Sequence, residues 1–562
     1  MPPVPEKERE TVALPTIAPP RTRRAALILL CVLGASTVII VRGIHGGEFS
    51  YNVDEAQHAV TGLYAAALLH DRPVHLVDYT AKFYAQYPAI GVIHWPPLFY
   101  GFEGLSFLLL GENVVAARLT ILAFALLGLA AWFEMVRELQ NDWTAALATA
   151  LLAWAPGLLL FEKTVMLEIP CLSLCIAASC CWSKYLHYEK RTTLIWFVGF
   201  AAAALLTKQN SVYLSLFCLA SAIALGRWRL LLKPAVWKAV FAIAMIVSPY
   251  YFLVYRAHWQ TTGILLTDSK VSGLARLVFY WKYLPAELGW TLLAFSMLGI
   301  VTSVRWDRRE SLVLMYAWIG SCYLTFTLIG TKEARLSLYW LPPFIYFAAG
   351  MLTRMFSRQP LRALASGAAV VLLAGSLDVA WSYQRPYVTG YSAAAKKVTQ
   401  IAPGGIILYD GRLPGNFIFF LRANDPGRHF LVLRKALYAY RINKRYGYEE
   451  LVHGREDIED VLRRDGVRFV VVSDRIRMEF DSQRILREML KSEQFRLQGI
   501  FPVVSSESLQ EGSLFIYENR WWSPPADKFL KIRMLTLTHD VIVPFDQFDF
   551  AGDPGHHQAQ AR

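Results

Sequence analysis

The feature that most constrains this chain is an uninterrupted apolar run, 25–41, bounded by Arg23 and Arg24 on one side and Arg42 on the other. A helix rises about 1.5 Å per residue, so a run of this length is enough to cross the hydrocarbon core of a bilayer. The pattern recurs. Further apolar runs occupy about 114–136, 143–161, 167–187, 193–207, 211–226, 235–255, 285–304, 311–330, 336–356 and 362–382. Backbone polar groups in lipid must be satisfied within the segment, so these runs are expected to be helices. The predicted fold class is a polytopic α-helical membrane protein of about eleven spans.

Charge then sets direction. The chain has a formal charge of +13 and is 55% hydrophobic. Its basic residues do not form a stripe among stacking aromatics, as a nucleic-acid surface would; they lie between hydrophobic runs, in the positive-inside pattern. No nucleic-acid partner is expected, and membrane lipids are. Arg21, Arg23 and Arg24 hold the start of the first run in the cytoplasm, and no small-residue cleavage pattern follows, so that run reads as an uncleaved anchor. Residues 97–111 are apolar but short, and contain Glu103. Counted as a span, they would invert every later basic loop. Left as a short helix dipping into the outer leaflet, they put Arg137, Lys184, Lys190, Arg191, Arg227, Arg229, Lys233, Lys238, Arg305, Arg308, Arg309, Arg354, Arg358 and Arg362 all inside. The expected location is a bacterial inner (plasma) membrane, with the outer loop 44–113 and the C-terminal region outside.

Three parts follow from this reading. Residues 1–24 are a disordered cytoplasmic N-terminus, 25–382 the membrane domain, and 383–562 a soluble α/β domain. In the last, 405–410, 417–421, 429–433, 466–474 and 513–518 read as strands, and 391–401, 455–465 and 482–491 as helices. The stretch after 527 has no clear assignment. All seven cysteines fall in apolar segments as small packing residues, without the paired spacing of a zinc site.

On this topology Asp54, Glu55, His94, Glu168, Lys208, Lys332 and Arg335 all face the outer mouth. Asp54 and Glu55 open a segment, 55–70, with helical spacing of Ala, Leu and Tyr. One reading makes Asp54 an N-cap, with Glu55 favouring the positive helix end; the other makes the pair a catalytic base and its support. His94 has a second reading as an interfacial turn residue, Glu168 as a capping charge ahead of Pro170, and Lys208 as the tip of a charged hairpin. Lys332, Glu333 and Arg335 read also as a solvated ion pair. Taken together, acids for proton abstraction lie beside cations for phosphate on one membrane face.

The residues Val53-Asp-Glu-Ala56, His94-Trp-Pro-Pro-Leu98 followed by Gly111-Glu-Asn and Arg118, Leu205-Leu-Thr-Lys208, and Lys332-Glu-Ala-Arg335 ahead of Leu341-Pro-Pro343 resemble the GT-C membrane glycosyltransferases. The similar branch is the one holding protein O-mannosyltransferases and the lipid A aminoarabinose transferase; the likeness covers roughly 25–380. It implies an inverting glycosyltransferase that moves a sugar from a polyprenyl-phosphate donor to an acceptor protein, lipid or glycan outside the cytoplasm. It further implies Asp54 as catalytic base with Glu55 in support, and Lys208, Lys332 and Arg335 as phosphate contacts. His94 and Glu168 fall at substrate-pocket positions. Where that branch has a lysine before a single proline near His94, this chain has Trp95 and Pro96. No cofactor is certain; a divalent metal ion is possible in this branch, and His258 and Asp268 in the long outer loop are available to it, but no motif selects between them. Two other functions compete: a ligase or polymerase using a lipid diphosphate, and a transporter or scaffold. The transporter reading lacks any inverted pair of broken helices.

Overall fold

The computed structural model describes residues 22–550, except 268–270, 272, 307–308, 442–443, 477 and 538, with backbone alone over 258–267. The proposed disordered N-terminus lies almost wholly outside the described residues, as does Asp268. Among the described residues, seven helices are long and apolar enough to span: Arg23–Val41, Val114–Leu139, Glu168–Tyr188, Pro234–Ala257, Arg309–Leu328, Ala334–Ser357 and Gln359–Ser382. Two bent pairs bring the number to as many as nine. Asp142–Ala153 and Pro156–Glu162 meet at 64°, where Pro156 cannot continue the hydrogen-bond ladder of the helix before it. Ala275–Leu288 and Trp290–Arg305 meet at 120° around Gly289, whose φ of +76° turns the chain. The single span expected over 285–304 is therefore a reoriented pair. The other two expected runs appear as the shorter helices Arg191–Leu205 and Gln209–Ala224, with Lys208 in the turn between them.

Contacts at the two ends of the first helix order the bundle. At its start, Thr22 donates to Asp142 at 3.4 Å and Arg24 lies 4.4 Å over the Trp143 ring. At its end, Arg385 donates to the Ile40 carbonyl at 3.0 Å, and Arg118 donates to the carbonyl of Ile44 at 2.6 Å. Arg118 opens the helix Val114–Leu139, and Asp142 follows it. That helix thus runs antiparallel to the first, and the chain between them leaves and re-enters at one end of the bundle. Helix Leu98–Leu110, at 13 residues, makes no net crossing. Its exposed Phe102, Leu105, Leu108 and Leu109 form an apolar side, while Glu103 is buried against Gly62 of the helix Asn52–Asp71.

The C-terminal part is built on a mixed sheet in the order Val388–Thr389, Phe495–Ser505, Gly512–Asn519, Val467–Ser473, Gly405–Asp410 and Phe430–Leu433. The last three strands are parallel neighbours and the rest antiparallel. Two features differ from expectation. Residues 417–421, predicted as a strand, lie in helix Pro414–Ala423: Pro414 suits its first turn, and its apolar side chains are covered on several sides. A short apolar run buried all round carries no periodicity to separate the two states. The long strand Phe495–Ser505 and the hairpin Phe529–Ile532/Val541–Pro544 were unassigned regions of the sequence.

Helix Pro414–Ala423 packs on helix Asn52–Asp71, where a Cβ at Gly415 would lie 2.8 Å from that of Ala56. The C-terminal part therefore sits directly on the segment that carries Asp54.

Candidate active site

The helix Asn52–Asp71 begins without the cap expected of Asp54. Its N-cap is Tyr51, which makes no side-chain cap bond, and Asp54 lies in the first turn, where its carboxylate meets Arg335. Glu55 supplies the missing acceptors. Its Oε2 accepts from the N–H groups of Ser50 at 2.9 Å and Tyr51 at 2.8 Å, and its Oε1 from Val165 at 2.9 Å. The cap reading thus moves from Asp54 to Glu55, because one more residue along the helix lets a longer side chain reach back over the turn. Burial pushes the Glu55 carboxyl up, opposed by Arg118 and by these three N–H groups.

Asp54 faces a compact ion cluster. Its Oδ2 stands 3.4 Å from Nη1 of Arg335, and the same nitrogen lies 3.3 Å from Oε1 of Glu168. That Glu168 oxygen also takes a bond of 2.5 Å from Nζ of Lys208, and Nε of Arg335 pairs with Glu333 at 2.5 Å. Four of the seven residues singled out from the sequence are thus brought together: Asp54, Glu168, Lys208 and Arg335. Glu168 and Lys208 are buried, with side chains 2% and 7% exposed, whereas Asp54 and Arg335 keep 16% and 17%. Burial raises the Asp54 carboxyl above its ordinary range, opposed mainly by the charges of Arg335 and Lys208. A carboxylate made more basic in this way, but kept near two cations, suits proton abstraction.

The other predicted residues lie apart. Lys332 donates Nζ to the carbonyls of Phe326 and Thr327 at 2.7 and 2.8 Å, and to that of Ile329. It caps the end of helix Arg309–Leu328 instead of joining the cluster, the favourable place for a cation at a helix C-terminus. His94 lies on the neighbouring loop, its carbonyl accepting from Gln209 at 2.8 Å and its ring edge-on to Trp95.

One residue went unnoticed in the sequence. His58, one turn after Asp54 on the same helix face, is 1% exposed and bonds Tyr100 Oη through Nδ1 at 2.7 Å. Trp95 packs edge-on at 4.6 Å. Burial lowers His58 to about 3, with Glu168 opposing, so the ring is neutral. The i, i+4 spacing from Asp54 was the available signal.

Among the described residues no group of three or more His, Cys, Asp and Glu side chains is placed to hold a metal ion. The two acids nearest the mouth, Asp54 and Glu168, already meet Arg335 and Lys208, so a divalent cation there would face two positive charges. The side chain of His258, like Asp268, is outside the described residues. A separate cleft of about 400 Å³ in the C-terminal part shares no residue with the cluster, and its acids pair with its own bases, as in Arg464–Asp465 and Arg533–Asp540.

The architecture recurs in known proteins. The chain has the fold of the GT-C membrane glycosyltransferases. More particularly, residues 94–252 match the family described as dolichyl-phosphate-mannose-protein mannosyltransferase. Among solved structures, ArnT from Cupriavidus metallidurans bound to undecaprenyl phosphate aligns at a TM-score of 0.57 and 13% identity, over 88% of this chain and 98% of that one. The oligosaccharyltransferase of Archaeoglobus fulgidus, in complex with Zn and sulfate, gives 0.54 and 12%, over 79% and 68%. The arabinofuranosyltransferase AftD from Mycobacteria gives 0.55 and 14%, over 92% of this chain and 41% of AftD. No curated protein matches the chain.

Proposed function

We propose that this protein is an inverting glycosyltransferase that moves a sugar from a polyprenyl-phosphate carrier to an acceptor hydroxyl on a protein, lipid or glycan, at the extracytoplasmic face of a membrane. The observation that carries the reading is the meeting of Asp54 with Arg335 and Lys208 through Glu168. One carboxylate and two cations are the groups that such a transfer uses. Solved relatives of the same fold support the carrier: ArnT holds undecaprenyl phosphate, and the archaeal oligosaccharyltransferase AglB holds a dolichol-phosphate.

The roles follow from chemistry. As the acceptor oxygen attacks the anomeric carbon, its proton passes to Asp54, and the bond from that carbon to the phosphate oxygen breaks. The carrier phosphate leaves with the electron pair and gains negative charge, which needs cations more than an acid. Arg335 holds Asp54 and Glu168 only at 3.3–3.4 Å, contacts loose enough to yield to a phosphate oxygen, and its fork can take two of them. Lys208 is a point charge behind it, and Glu168 keeps both cations at one place. Glu55 acts through the backbone, fixing the turn from which Asp54 projects. His94 is assigned a substrate contact from the loop that carries Trp95, whose ring packs on His58. Every step uses the chain's own side chains.

Binding of undecaprenyl phosphate to the purified protein tests the carrier. Arg335→Gln is expected to weaken it about 10-fold or more, the scale of losing a charge-assisted pair. Unchanged affinity in that variant, or a marked preference for undecaprenyl diphosphate in the wild type, contradicts the proposal.

A further inference from the structure

The stretch Gly47–Ala56 delivers Asp54 to the cluster, and several of its bonds run to residues more than 300 positions later in the chain. The Glu48 N–H donates to the Val388 carbonyl at 2.7 Å, and the Glu48 carboxylate accepts from the N–H groups of Tyr391 and Ser392 at 3.1 and 2.8 Å. Gln510 donates to the Ser50 carbonyl at 3.0 Å. Between them, the Asn416 amide closes on both backbone groups of one residue: Phe49 N–H donates to its Oδ1 at 3.1 Å, and its Nδ2 donates to the Phe49 carbonyl at 2.6 Å. Asn416 and Phe49 are both fully buried, and the Phe49 ring stands edge-on to Phe419 at 4.9 Å.

This arrangement is specific to an amide of this length. A carboxylate at 416 would keep the acceptor but oppose an oxygen to the Phe49 carbonyl. An aliphatic side chain would leave both buried backbone groups unpaired, which is costly. From Phe49 the linkage is short. Ser50 and Tyr51 donate to Glu55, and Asp54 stands between Tyr51 and Glu55 in the first turn.

We propose that Asn416 is a positioning residue for the reaction. By clamping Phe49 it sets the turn from which helix Asn52–Asp71 starts, and so places the Asp54 carboxylate against Arg335. The C-terminal part is on this view a working component of the site and not an appendage. The inference rests on the transferase reading above.

The test uses the full chain in lipid nanodiscs, with Asn416→Asp, Asn416→Ala and, as control, Asn519→Ala. Asn519 is similarly buried and also binds backbone through both amide atoms, donating to Val467 at 3.0 Å and accepting from Trp521 at 3.1 Å, but within the C-terminal part alone. Amide hydrogen exchange over residues 48–56 is expected to rise about tenfold in both Asn416 variants and to stay at the wild-type rate in Asn519→Ala. Turnover with lipid-linked donor from the host membranes should fall about 10- to 100-fold in the Asn416 variants, the scale of a small misplacement, with undecaprenyl phosphate affinity unchanged. Wild-type exchange and turnover in Asn416→Asp would overturn the assignment, as would equal losses in Asn519→Ala. Faster exchange in Asn416→Asp from a wild type inert toward every polyprenyl-linked donor would overturn the transferase reading, and with it this role for Asn416, while leaving the clamp in place.

Discussion

Arg335 lies 3.4 Å from Asp54 although 281 residues separate them in the chain. The guanidinium joins the helix Asn52–Asp71 to the turn that precedes a helix near the end of the bundle, and it meets Glu168 with the same nitrogen. The proposed base and the proposed phosphate contact thus share one electrostatic environment, so removing the Arg335 charge alters Asp54.

That coupling has a sign. Burial raises the Asp54 carboxyl and Arg335 opposes the rise. Arg335→Gln removes the opposing charge, so the Asp54 carboxyl goes higher still. The acid limb of the kcat/KM profile is expected to move to higher pH in this variant. A limb that stays in place would separate Asp54 from the step.

Glu168 and Lys208 form a buried pair, and its two halves are unequal to its whole. Glu168→Gln leaves the Lys208 ammonium short of its partner in a buried place, which by analogy with other buried pairs costs about 3–5 kcal/mol. The double change Glu168→Leu/Lys208→Met is expected to lose less stability than Glu168→Gln, although it too abolishes transfer. Thermal unfolding of the three proteins in one detergent checks the order.

Glu48 gives the fold a pH dependence. Burial raises its carboxyl from 4.5 to about 7, against the N–H bonds of Ser392, Tyr391 and Gly390. A raised value in the folded state means that folding favours the protonated group. Its contribution is fully present below pH 4.5 and is lost as pH rises through about 7. Glu48→Gln should therefore flatten the dependence of Tm on pH between 5 and 8, with its relative gain at pH 8. A parallel shift of the two curves would refute the assignment.

Lys332 distinguishes a cation at a helix end from the proposed phosphate contact. Burial, then the charge of Arg276, lowers its ammonium to about 8, and it donates to three carbonyls at a helix end. Lys332→Ala is expected to lower Tm while leaving undecaprenyl phosphate affinity within about twofold, the range expected when no charge-assisted contact is lost. A large loss of affinity without loss of Tm would return Lys332 to the phosphate site.

Much of this architecture could be read from local pattern. The run 25–41 and the basic loops identify spans and their alternation, and the shortness of 97–111 marks a helix that makes no net crossing. The same local reasoning failed at 417–421, where burial on all sides erases the periodicity that tells strand from helix. At the site, residue type singles out Asp54, Glu168, Lys208 and Arg335, which the fold brings into one ion cluster. Local sequence does not say which neighbouring cation turns inward: Lys332 and Arg335 lie three residues apart, and only packing sends one to a helix end and the other to the acids. Residue type alone also leaves the cap open between Asp54 and Glu55, and the longer side chain takes it by reaching back to Ser50 and Tyr51. His58 was overlooked because an isolated histidine amid alanines resembles a core residue.

The most direct measurement is transfer by Asp54→Asn in reconstituted membranes, taken together with undecaprenyl phosphate binding. The variant keeps shape and hydrogen-bonding reach but cannot accept the acceptor's proton. Transfer is expected to fall by about 10²-fold or more, the contribution of a positioned base, with binding and Tm retained. Wild-type transfer by Asp54→Asn would contradict the assignment of Asp54 as the base.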